Sequence, residues 1–181
     1  MPILRHIPVM KDQAVNSLNV RNNLNYVDAT FGYGSYSAEI LKRADCNLIS
    51  IDKDPTVIQY AEKFKSKYKN RFSFFSETFS NLKNVINEKK LNYISGGIIA
   101  DLGVSSMQID DEKRGFSFMK DGPLDMRMNK IGMTAKDLIY FLNEKQLSHI
   151  LWAYGEEKQS RIINNTIFLK LLESLFANRS I

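Results

Sequence analysis

Between Tyr26 and Asp101 the chain alternates short apolar runs with stretches of helical period, four times over, and this alternation restricts the choice of fold. Each repeat of strand, helix and strand is a βαβ unit, whose crossover helix lays the next strand parallel to the last, so the pattern specifies an α/β fold built on a parallel sheet. The period predicts strands at Tyr26–Thr30, Leu48–Asp52, Phe72–Phe75 and Ile94–Asp101, with helices over Ser35–Arg43, from Asp54-Pro55 to about Tyr68, and over Asn81–Lys89. Asp54 is suited to cap the second helix and Pro55 to its first turn. After Asp101 the rhythm changes. Residues 102–133 are rich in Gly and Met and have little periodicity, the mark of a long functional loop. Helical period returns at Thr134-Ala135-Lys136-Asp137 and continues through Glu144–Ala153 and Glu156–Ala177, the last with Ile162, Ile163, Ile167, Leu171, Leu172 and Leu175 at helical spacing. The chain is therefore expected to divide into a βαβ part (1–101), a long functional loop (102–133) and a helical part (134–181).

The chemistry begins at the first strand-to-helix turn, Asp28-Ala29-Thr30-Phe31-Gly32-Tyr33-Gly34. Glycines here let the backbone turn sharply and approach a ligand. Asp52, twenty residues after Gly32, closes the second strand, where a carboxylate can accept both hydroxyls of a ribose. A dinucleotide fingerprint would place a third glycine at position 37, which is Ser37. That departure disfavours a pyrophosphate ligand, and with it a nicotinamide-dependent oxidoreductase. S-adenosylmethionine carries no phosphate, and an acid such as Asp28 at the strand end suits its amino-acid portion. Two glycines in such a turn can also be geometry alone.

Asp101 ends the fourth strand, on the side of the sheet where open α/β folds bind ligands. An ionised carboxylate has only acceptor capacity, which suits it to orient an exocyclic amine through its N–H bonds. A strand-end Asp that caps the next turn is the structural alternative.

Two further segments, Asp101-Leu102-Gly103-Val104-Ser105-Ser106-Met107-Gln108-Ile109-Asp110 and Arg114-Gly115-Phe116-Ser117-Phe118-Met119-Lys120-Asp121-Gly122-Pro123-Leu124-Asp125-Met126-Arg127-Met128, carry a family resemblance. With His6-x-Pro8-Val9, Tyr26–Gly32, Ile51–Pro55 and Tyr154-Gly155-Glu156-Glu157 in the same order, the chain resembles the RsmH (MraW) family over essentially its whole length. The resemblance implies a Rossmann-like class I S-adenosylmethionine-dependent methyltransferase core, of which the first four strands are present: residues 1–101 would be the N-terminal part of the cofactor-binding domain, 102–133 an active-site loop and 134–181 a helical insertion that would bind substrate. It implies methylation of the N4 amine of a cytidine in small-subunit (16S) ribosomal RNA, free or in the assembled subunit. By the same resemblance Gly34, Ser35, Tyr36, Asp52, Phe79, Asp101 and Gln108 would hold the cofactor, joining Asp28 and Gly32 of the turn, and Asp101 would be the catalytic group. Phe79 would stack on the adenine, its structural alternative being a core aromatic. Arg114, Lys120 and Arg127, interleaved with Phe116 and Phe118, would grip RNA phosphates, unless the loop only packs over the cofactor.

The chain departs from the family at Gly34-Ser35-Tyr36-Ser37, where members usually read Gly-Gly-His-Ser, and it lacks the late His-Ser-Leu-Glu-Asp-Arg motif that follows the insertion when the chain returns to finish the sheet. The C-terminal strands are accordingly expected to be missing, and a truncated, non-catalytic remnant that still binds cofactor or RNA is the alternative reading. Composition adds exclusions. The lone Cys46 permits no internal disulfide or Cys-clustered zinc site, and its apolar setting predicts a buried thiol. No metal is called for. No run approaches the roughly 20 apolar residues of a membrane span, and the first residues lack a signal-peptide layout, so a cytoplasmic protein is expected. The net charge of +5 is compatible with a polyanionic partner; much of the excess lies in Lys63, Lys65, Lys67, Lys69 and Arg71, which a solvated helix face explains as well as a binding patch does.

Overall fold

The computed structural model describes the backbone of residues 10–177 and the side chains of residues 10–170. The His6-x-Pro8-Val9 motif and the side chains of Leu171, Leu172 and Leu175 lie outside the described residues. Four strands, β1 (Asn25–Asp28), β2 (Asn47–Ile51), β3 (Phe72–Phe75) and β4 (Gly97–Ile99), form one parallel sheet in the order β3-β2-β1-β4. That order is the first part of a doubly wound sheet, in which strand order reverses beside the first strand. Here the reversal falls between β1 and β4.

Side chains alternate across the sheet, as strand geometry requires. Tyr26 and Leu48 point to one face and join a core with Val15 of helix α1 (Lys11–Ser17), Ile40 and Leu41 of α2 (Ser35–Arg43) and Ala61 of α3 (Ile58–Tyr68). Val27, Ile49 and Ile51 point to the other face and pack with Val85 of α4 (Leu82–Glu88). Cys46 is buried in the first core, as expected of a structural thiol. Helix α1 has no counterpart in the period-based reading. Only Val15 of its seven residues is buried, so it carries too short an apolar stripe to announce itself.

β4 is shorter than the run Ile94–Asp101 suggests. Gly96 packs against the Tyr26 ring, which leaves no room for a Cβ, and its N–H donates to Asn25 O before regular pairing begins. At the other end, Asp101 N–H donates to the Thr30 hydroxyl at 2.7 Å, which takes the backbone out of the ladder.

Beyond the sheet, α5 (Ser106–Asp110) interrupts the segment read as loop, and α6 (Ala135–Phe141), α7 (Glu144–Ala153) and α8 (Ser160–Ala177) form the helical part. Capping boxes start three of them: Ser105 with Gln108, Thr134 with Asp137 and Asn143 with Gln146. α8 begins four residues later than the period suggests, after Glu156 adopts a left-handed backbone. Ile162 and Ile163, read as an apolar helix face, are 65% and 37% exposed.

Candidate active site

The chain leaves β1 across the top of the sheet. Ala29 N–H donates to Ile99 O of β4 and Phe31 N–H to Ile51 O of β2, so the turn is fixed over both neighbours. Gly32 (φ +53°) then donates its N–H to Asp52 Oδ2 at 2.8 Å, while Asp54 N–H donates to Asp52 Oδ1 at 2.9 Å. Both carboxylate oxygens are thus aimed by backbone, and each retains a lone pair for a ligand hydroxyl. Burial raises the Asp52 pKa above the ordinary value, a rise opposed by these two backbone bonds.

A cavity of about 480 Å³ opens at the carboxyl ends of β1, β2 and β4. Gly32, Ser35, Tyr36, Asp52, Phe79, Asp101 and Gln108 line it. The Phe79 ring, in a tight turn just before α4, is half exposed, so it is not a core aromatic. Asp101 is exposed at the rim, and Tyr36 is buried beneath it. Burial raises the Tyr36 pKa, and the Asp101 carboxylate raises it further. Gln108 is engaged at both ends of its amide: Oε1 accepts from Ser105 N–H and Nε2 donates to Asp54 Oδ2 at 2.8 Å. It closes the cavity wall while its polar atoms serve the protein.

Two residues expected at the cofactor stand behind the cavity. Asp28 is fully buried; it accepts the Ser37 hydroxyl at 2.6 Å and Thr30 N–H, and it fastens α2 to β1. Burial raises its pKa to about 6, against the opposing effect of those hydrogen bonds. Ser37, at the position of a dinucleotide fold's third glycine, spends its hydroxyl on Asp28 and Ser50. Gly34 (φ +78°) is required by packing: a Cβ there would lie 2.6 Å from the Phe64 ring and 2.8 Å from Phe31.

The cations read as phosphate grips are largely committed internally. Arg114 is 4% exposed; its NH1 donates to Asp54 Oδ2 at 2.9 Å and its NH2 to the carbonyls of Arg127 and Met128. Its guanidinium is thus turned inward, because a buried carboxylate claims it. Arg127 is held by Asp125, at 2.6 Å through NH2, and by Gly132 O. Lys120 is exposed and donates to Asp110 O. Asp54 does cap the turn into α3, through Thr56 N–H and hydroxyl, but its second oxygen receives both Gln108 and Arg114. Burial would raise the Asp54 pKa; these hydrogen bonds outweigh it and hold the carboxyl below its ordinary value. A partner sixty positions away left no local signal for the sequence reading to find.

Among the described residues, no three His, Cys, Asp or Glu side chains are grouped to hold a metal ion. None of the described helices is long and apolar enough to cross a membrane.

A parallel sheet with its cavity at the reversal of strand order, a glycine turn on one side and an acid at the end of the next strand, defines a doubly wound α/β protein whose cavity lies where such sheets take their ligands. Comparison with known proteins makes this particular. The sequence profile of the MraW methylase family matches residues 3–177, and the chain belongs to that family. It is 42% identical over 172 residues to ribosomal RNA small subunit methyltransferase H of Rhodospirillum rubrum, covering 95% of this chain and 52% of that protein. To the protein of the same name from Rickettsia akari it is 43% identical over 162 residues, covering 90% of this chain and 52% of the relative. The chain thus spans about half the length of these relatives. Among solved structures, an rRNA methylase from Streptococcus thermophilus aligns with 46% of this chain and 49% of its own at 14% identity and a TM-score of 0.37, too distant to add to the assignment.

Proposed function

We propose that this chain carries the cofactor site of an S-adenosylmethionine-dependent methyltransferase that modifies the N4 amine of a cytidine in small-subunit (16S) ribosomal RNA, free or in the assembled subunit, in the cytoplasm. The observation that carries the proposal is the charge of the cavity. Its ionisable lining is Asp52, Glu77 and Asp101 against Lys53, with Asp54 already neutralised by Arg114. A pyrophosphate would meet carboxylates there, whereas a sulfonium and an ammonium are attracted, so the residues fit S-adenosylmethionine better than a nicotinamide dinucleotide.

Asp52 would take the ribose hydroxyls and Phe79 would stack on the adenine. The amides of Ser35 and Tyr36 begin α2 without a side-chain cap, which leaves them for the carboxylate of the amino-acid portion. Asp28 supports this turn from behind. When bound, the cofactor supplies an electrophilic methyl on sulfur. Asp101 accepts the N–H bonds of the target amine and points its nitrogen into the cavity, and Gln108, Ile109 and Met128 exclude water from that side. No strong base is needed, since the amine becomes acidic once methylated and its proton can then leave.

Calorimetric titration tests the reading. S-adenosylmethionine should bind and NAD should not, and Asp52→Asn should weaken the binding at least tenfold. Binding of NAD alone would refute the methyltransferase assignment. In a methylation assay on small-subunit particles, an Asp101→Ala chain that worked as well as the parent would remove Asp101 from the mechanism.

A further inference from the structure

With Arg114 buried against Asp54 and Arg127 paired with Asp125, only Lys120 of the three stays exposed, and the charge that meets an RNA backbone has to come largely from elsewhere. Residues 63–71 carry five cations and no acid. Lys69 lies just past the end of α3, and the other four divide by role. Lys65 is paired with Glu62 at 2.8 Å, and Arg71 donates to Ala44 O while facing Asp45 at 3.4 Å, so these two are anchored. Lys63 and Lys67 are exposed, and neither has an ion-pair partner among the described residues. Four positions apart, they share one side of α3. Each ammonium is held near an aromatic face: Lys63 Nζ lies 5.6 Å from the Tyr60 ring centroid and Lys67 Nζ 4.9 Å from that of Tyr68. Such contacts restrain long flexible side chains without neutralising their charge.

The row is continuous with the site. The Tyr60 ring packs edge-to-face on Tyr33 at 5.0 Å, and Tyr33 lines the cavity. A path of aromatic rings and free cations therefore runs from the cavity mouth down the exposed side of α3. We propose that Lys63 and Lys67 on α3 form a docking surface for the sugar-phosphate backbone of the RNA that delivers its target nucleotide to the cavity. The proposal rests on the reading of the chain as an RNA methyltransferase, and it commits to RNA because the patch is cationic, exposed and joined to the cavity through stackable rings.

The test measures binding of a fluorescently labelled small-subunit rRNA transcript across a salt series, for the parent chain, for Lys63→Gln/Lys67→Gln, and for Lys83→Gln/Lys90→Gln, a control of equal charge that alters one exposed lysine in α4 and one just after it, on the opposite face of the sheet. The α3 variant should lose roughly tenfold in affinity at low salt, with the slope of log K against log salt shallower by about 1 to 2. The control should change neither. S-adenosylmethionine affinity, titrated on the same three proteins, should be unaltered throughout. If the α3 and α4 variants bind the transcript equally well, or the parent does not bind it, the α3 surface is not a docking site. Absence of cofactor binding by the parent would count instead against the methyltransferase reading, leaving a measured α3 effect on RNA intact.

Discussion

The Arg114–Asp54 pair offers the sharpest test of how the 102–133 segment is attached to the sheet. The two groups meet at 2.9 Å with side chains 5% and 3% exposed, and Arg114 also donates to the carbonyls of Arg127 and Met128. Arg114→Met removes the cation and leaves a buried carboxylate with only Thr56 and Gln108 as donors, a loss expected to cost about 3–5 kcal/mol. For a chain of this size each kcal/mol lowers Tm by about 2–4 °C, so the variant should melt about 6–20 °C below the parent. Urea denaturation of the ligand-free protein at pH 7 measures the same quantity. Asp54→Asn combined with Arg114→Met removes both charges, and its cost should fall at least about 2 kcal/mol short of the sum of the single costs, the signature of a coupled pair. The pH dependence has a definite sign. Asp54 has a folded pKa below its unfolded value, so its contribution is present above the unfolded value of 3.8 and is lost as pH falls toward the folded one. Arg114→Met should flatten that acid limb. A single-variant cost under about 1 kcal/mol, or strictly additive costs in the double variant, would refute the claim that this pair fastens the loop.

Other outcomes follow from the same geometry. Asp28 shows the opposite linkage: its pKa is raised from 3.8 to about 6 by burial, so its contribution is fully present below the unfolded value and is lost as pH rises through 6. That loss amounts to about 3 kcal/mol, and it should be missing from a comparison of Asp28→Asn stability at pH 4 and pH 7.5 by chemical denaturation. Gly34→Ala should cost about 2–5 kcal/mol, from a left-handed backbone and a clash with Phe64, and a Tm within 2 °C of the parent would contradict the packing argument. Phe79→Ala should weaken S-adenosylmethionine binding about tenfold without lowering Tm, because the ring is half exposed and outside the core; a loss of stability with unchanged affinity would return Phe79 to a structural role.

The sheet was legible because its signal is local. β3 and the helices Ser35–Arg43 and Glu144–Ala153 fall where hydrophobic period puts them, and the parallel direction of the strands follows from the alternation itself. Much of the cavity was legible for a related reason: in a parallel sheet every strand ends on the same side, so Gly32, Asp52 and Asp101 had to converge once they were recognised as strand ends. What escaped depends on contacts between distant segments. Asp28 and Gly34 lie in the right turn but face inward, since a turn specifies where a residue sits and only the packed neighbours, Ser37 and Phe64, decide which way it points. Arg114 is the clearest case. An arginine among aromatics in a Gly-rich loop has the composition of an RNA grip, yet a carboxylate sixty residues earlier, itself announced as a helix cap, captures it. The lysines of α3 show the converse. Their run is as consistent with a solvated face as with a patch, and the distinction needs the tyrosine contacts and the ion pairs that occupy Lys65 and Arg71 but leave Lys63 and Lys67 free. Arg114 and Arg127, inside the motif, therefore hold the protein together, whereas Lys63 and Lys67, outside it, keep their charge unpaired among the described residues.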